Sequence, residues 1–181
     1  MIVVRRSLLA ALLLAAACAR GPEDACPGEP VGSFLLQVSV PEGAEPSACT
    51  AEPPPSDPPT RVVATFAARL NAEPSAAGSS PAALCPGGRA ATYFGTRAPD
   101  GTYTLQASSG LGVLERCGSN CSASATQRLT GSVVGEGASA TFTGTLEERF
   151  DYLAGDCGAC VLPCAATYAV TSTVPTDAAS P

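Results

Sequence analysis

Nine cysteines stand in this chain of 181 residues, and their placement restricts the fold more than any other feature. Cys18 closes an apolar N-terminal run. The other eight, Cys26, Cys49, Cys85, Cys117, Cys121, Cys157, Cys160 and Cys164, are spread over the remainder. Eight is an even number, as complete pairing into disulfides requires. Such bridges persist in oxidising compartments, so the count implies export. The chain needs the bracing: it has no Trp, five Phe and four Tyr, and its apolar share is largely Ala. Small side chains bury little area at about 25 cal/mol per Å², whereas each bridge contributes about 2–4 kcal/mol, chiefly by restricting the unfolded chain. Eight cysteines allow roughly a hundred pairings, and spacing does not choose among them.

The N-terminus has three zones. Arg5 and Arg6 give a positive start, Ser7 to Ala17 carries no charge, and Ala15-Ala16-Ala17 leads into Cys18. An apolar run of that length spans about 16 Å as a helix, roughly half a bilayer core. A removable signal peptide over residues 1–17 is therefore expected rather than a spanning helix. Leu14-Ala15-Ala16-Ala17-Cys18 resembles the lipobox of bacterial lipoproteins, with Ala15 at the place where that family prefers Leu. The resemblance implies cleavage before Cys18, a diacylglycerol on its sulfur and an acyl chain on its new amino group. More than one chain is what stable membrane anchoring takes. Ala19 rather than Asp after the cysteine implies, by the same resemblance, the outer membrane or its periplasmic face. Two alternatives stand beside it. Ala17-Cys18-Ala19 also fits an ordinary cleavage site, which would release a soluble secreted protein with the same eight cysteines. Val4-Arg5-Arg6-Ser7-Leu8-Leu9 partly resembles a twin-arginine export signal.

All ten basic residues are Arg, and there is neither His nor Lys. The absence of His removes the commonest general base and metal ligand, so Ser-His-Asp and Cys-His arrangements are excluded. The absence of Lys removes Schiff-base chemistry and the phosphate-loop lysine. From Cys18 onward eight arginines face sixteen carboxylates, a formal charge of −8. That balance opposes nucleic-acid binding and electrostatic docking on anionic lipid.

Two constellations invite a chemical reading. Cys157-Gly-Ala-Cys160-Val-Leu-Pro-Cys164 contains the C-x-x-C of redox sites, but a proline follows three residues on and the chain beyond is too short for a strand-helix-strand unit. With Cys117 and Cys121 the same thiols have the makings of a metal site. An oxidising compartment favours structural disulfides over both. Glu147, Glu148, Asp151 and Asp156 gather near the end of a strand pattern, with Glu115 a further candidate. Two such carboxylates at the right separation hydrolyse glycosidic bonds, and several bind Ca²⁺. The ordinary role of acidic residues in such a place is solvation, so no metal, no cofactor and no catalytic residue is assigned.

Alternation of apolar and polar residues marks the strands. Phe34, Leu36, Val38 and Val40 form one stripe, and Val62, Ala64, Phe66, Ala68 and Leu70 the next. Between them the proline-rich 41–60 reads as an exposed loop pinned by Cys49. A loose Ala, Ser and Pro stretch then runs to Gly88. Residues 89–97 and 102–108 predict a hairpin around Ala98-Pro99-Asp100-Gly101, in which Pro presets the turn and Gly supplies a positive φ. A short strand is expected over Val113–Cys117. A second hairpin joins 123–134 to 138–150, and Ala166, Tyr168, Val170 and Val174 form the last stripe. The pattern predicts an all-β fold of seven or eight antiparallel strands, either a sandwich or a small up-and-down barrel, braced by disulfides. The expected organisation is a signal peptide (1–17), a lipid anchor and tether (18–30), one β domain (31–175) and a tail (176–181). The expected function is a non-enzymatic binding or structural domain at the cell envelope, with the membrane a partner through the lipid anchor and any protein or small-molecule partner unidentified. A small carboxylate-dependent hydrolase using Glu147 or Glu148 with Asp151 is the alternative.

Overall fold

The computed structural model describes residues 26–44, 47, 49–74, 78–88, 91–114, 117–135 and 139–173. The signal peptide, Cys18, Glu115, Val174 and the tail lie outside the described residues. Eight strands follow one another: β1 (Glu29–Ser39), β2 (Val62–Ala72), β3 (Ser80–Pro86), β4 (Tyr93–Arg97), β5 (Thr102–Val113), β6 (Ser122–Val134), β7 (Thr141–Ala154) and β8 (Cys164–Thr173). Each pairs with the next in antiparallel fashion, and β8 pairs back onto β1, so the sheet closes into an up-and-down barrel. Closure removes every free sheet edge. Of the two expected architectures the barrel is the one realised.

Strand alternation sends one set of side chains inward and the other to water. Register places Ala82, Gly95, Leu105, Leu129, Leu146 and Tyr168 opposite one another on successive strands, a continuous inner row. Leu105 is fully buried, as are Leu36, Leu70, Leu84 and Phe142 from neighbouring rows. The interior is thus a filled core. Two glycines make room for the Phe142 ring: a Cβ on Gly131 would stand 2.6 Å from Phe142 Cζ, and one on Gly144 3.2 Å from Phe142 Cε1. Phe142 also meets Phe34, with ring centroids 6.1 Å apart. The outward set, including Thr65, Gln106, Arg128, Thr145, Glu147 and Thr167, is exposed. A polar wall around an apolar core suits water, and is the reverse of a membrane-spanning barrel, whose outer band is apolar.

Several expectations change. β3 lies inside the stretch read as loose. Its Ala82 and Ala83 are both buried, the first by the core and the second under the N-terminal segment, so the strand shows no alternation. Of the short strand expected over Val113–Cys117, Val113 belongs to β5 and Cys117 N–H closes a turn on Leu114 O, while Glu115 and Arg116 lie outside the described residues. β4 starts at Tyr93 instead of residue 89, and β7 continues to Ala154. The folded part begins ahead of residue 31, because Asn71 Nδ2 donates to the carbonyls of Cys26 and Gly28 and β1 starts at Glu29. The 41–60 loop is exposed only in part. Cys49 is fully buried, Ala51 packs on the core, and Ala51 N–H donates to Tyr168 Oη at 2.8 Å.

All eight expected cysteines are bridged: Cys26–Cys85, Cys49–Cys164, Cys117–Cys160 and Cys121–Cys157. Cys157 and Cys160 thus bond to two different partners across the gap between the β5–β6 and β7–β8 connections. Neither the redox dithiol nor the four-thiolate metal site is realised, because every thiol concerned is spent in a structural bridge.

Candidate functional site

The connections divide the barrel into two ends. The β2–β3, β4–β5 and β6–β7 connections lie at one, here the turn end. The 40–61, 87–92, 114–121 and 155–163 connections lie at the other, the loop end. Cys49–Cys164 and the paired bridges Cys117–Cys160 and Cys121–Cys157 all brace the loop end. Beneath them Cys49 packs with Ala123, Ala125 and Phe150 in a small cluster of its own.

One row inward from that cluster the core turns polar. Register sets Ala107, Gln127, Glu148 and Ala166 opposite one another on β5 to β8, and Tyr93 opposite Leu84 on β3. Tyr93 Oη donates to Gln127 Oε1, and Gln127 Nε2 donates to Glu148 Oε1 at 2.8 Å. These residues belong to the inward set, and Tyr93 is buried while Gln127 and Glu148 are half-buried. Burial, and next the negative charge of Glu148, push the Tyr93 hydroxyl up to about 12 from the ordinary phenol value. The phenol therefore stays protonated at neutral pH and acts as a donor. The chain satisfies an otherwise costly inward carboxylate and amide. It fixes the direction of the Glu148 carboxylate inside the loop half of the barrel. Tyr93 is the first residue of the five-residue β4, which stops short of its neighbour β5.

The expected carboxylate group is taken apart by the same alternation. Glu148 points inward, whereas Glu147 is exposed on the outer wall opposite Arg128. Asp151 also lies on β7, in an exposed ion pair with Arg149 at 3.0 Å. Asp156 is exposed in the following connection, where its Oδ1 accepts from Gly158 N–H. The wall of the barrel separates Glu148 from Glu147 and Asp151. Among the described residues no group of three or more Cys, Asp or Glu side chains is placed to hold a metal ion. Sequence reading passed over Tyr93 and Gln127. The available signal was a glutamine at the inward parity of Ala123, Ala125 and Leu129, a polar residue in an apolar stripe.

Comparison with family models, with curated proteins and with solved structures gives no match to this chain, so its function is argued from its own residues.

Proposed function

We propose that this chain is an exported lipoprotein, a non-enzymatic β-barrel domain with a binding or structural role at the bacterial cell envelope, held to the membrane through Cys18. One observation carries the reading. The eight cysteines from Cys26 onward pair entirely among themselves, and Cys18, at the end of the signal-like run, is left outside the four bridges. Four long-range bridges are compatible with an oxidising compartment, which an exported chain reaches. A water-facing outer wall is compatible with a domain that stands beside a bilayer and does not cross it. The non-enzymatic part draws support from the missing His and Lys and from the barrel wall between Glu148 and Asp151.

Mass spectrometry of the protein recovered from both the membrane and the soluble fractions of bacteria, with and without reductant, tests this. The expected species starts at Cys18, carries diacylglyceryl and acyl groups, and gains eight hydrogen atoms, two for each of its four bridges, on reduction. A soluble, unacylated species starting after Ala19 would overturn the anchoring and leave a secreted barrel.

A further inference from the structure

The outer wall is largely polar, with Leu35 on β1 and Val134 at the end of β6 as isolated exposed apolar residues, and it carries an apolar depression of about 310 Å³ where β3 and β4 meet the N-terminal segment. Pro27, Pro81, Ala83 and Phe94 line it, with Glu73 as its charged member. Phe94 sits opposite Ala83 in the register and is 58% exposed, amid a wall of Thr, Gln and Arg. A phenyl ring left in water gains free energy from any apolar surface brought against it.

The position of the chain's N-terminal end says what that surface is. Cys26 is fixed to this side of the barrel by its bridge to Cys85 and by the hydrogen bond from Asn71. Pro27 and Gly28, the next residues, form part of the depression itself. Residues 19–25 alone separate Cys26 from Cys18. Even fully extended, the step from one cysteine to the other reaches at most about 26–29 Å. On the anchoring reading above, on which this inference rests, the β2–β4 side is therefore held close to the bilayer. A tether so short turns a weak surface contact into an intramolecular one at high effective concentration. The formal charge of −8 from Cys18 onward opposes attraction to anionic headgroups, so an apolar contact is the kind left available.

We propose that the barrel lies with this wall against the membrane, Phe94 and the two prolines entering the interface at headgroup depth. The exposed Tyr152, Leu153 and Val161 of the loop end then remain on the aqueous side.

The absence of Trp makes the test clean. F94W and V161W variants of the full mature protein, both substitutions at exposed positions, are reconstituted in phosphatidylethanolamine–phosphatidylglycerol vesicles with and without brominated acyl chains. The expected result is a blue-shifted emission from F94W that bromine quenches, with V161W emission unshifted and unquenched. Mass spectrometry of the same samples separates the two ways to fail. No acyl group overturns the anchoring and this orientation together. Acylated protein with an unquenched F94W, or with both variants quenched alike, overturns the orientation alone. So does a blue shift of F94W that grows with protein concentration in the absence of vesicles, since a second copy would then cover the ring.

Discussion

At the turn end, strands β4 and β5 are joined by Ala98-Pro99-Asp100-Gly101, a turn closed by local hydrogen bonds, with the Arg97 guanidinium over the Tyr103 ring at 5.8 Å beside it. Ala98 N–H donates to Thr102 O, Gly101 N–H to Ala98 O, and Asp100 Oδ1 accepts from Thr102 N–H. At the loop end all four connections are longer than this turn, and three of the four disulfides tie three of them to the barrel or to each other. The interior follows the same division, with a Leu and aromatic core reaching toward the turns and the Tyr93–Gln127–Glu148 chain lying below the loops. A short turn is stable because few residues must be ordered. A long connection loses more chain entropy, and covalent ties reduce that loss by restricting the unfolded state. Long-range bonds thus give the loop end its shape, whereas the β4–β5 turn holds its shape by local sequence.

If that contrast is sound, the largest effect comes from the longest tie. Cys49–Cys164 closes a loop with a sequence separation of 115. The C49A/C164A double variant is expected to lose about 4–5 kcal/mol, the chain-entropy value for a loop of that size. Urea unfolding measures it. A loss no larger than that of a turn-end variant would break the comparison.

The polar chain gives the next effect through pH. The Tyr93 phenol has a higher pKa folded, about 12, than unfolded, near its ordinary value of 10.0. The native state therefore keeps the proton that the unfolded state releases. The associated stability is fully present below pH 10 and is lost as pH rises through 12, by up to about 2–3 kcal/mol. Denaturation midpoints taken across that window should fall for the natural chain and fall less for Y93F.

Gln127→Leu comes third. It leaves the Tyr93 hydroxyl without its acceptor and Glu148 without its donor inside the barrel, at an expected cost of about 1–3 kcal/mol. A midpoint unchanged from the natural chain would mean that water replaces the amide, and the loop half would then be wetter than its packing implies. Smallest is Gly101→Ala at the turn end. Gly101 has φ of +87° and no atom near a would-be Cβ, so the cost is the backbone strain alone, about 1 kcal/mol.

Legibility of the fold followed the contrast between strand faces. β1, β2, β6 and β7 each bury one face and wet the other, and their alternation is plain in Phe34–Val38 or in Phe142–Leu146. β3 is hidden because Ala83 on its outer face is covered by the segment around Cys26, so inward and outward residues look alike. Glu147 and Glu148 illustrate the same point within a site. Adjacent residues on a strand cannot share a face, and because both lie well inside β7, one carboxylate goes to water and the other to Gln127.

By itself the sequence determined an all-β chain, the even set of eight cysteines and the apolar stripes, since these depend on local periodicity and on counting. Only the tertiary structure decided that β8 returns to β1 to make a barrel, which cysteines meet, and that Tyr93, Gln127 and Glu148 share one row. Those outcomes depend on register between strands far apart in the chain, and a one-residue slip would send every side chain to the other face. No local pattern carries that information.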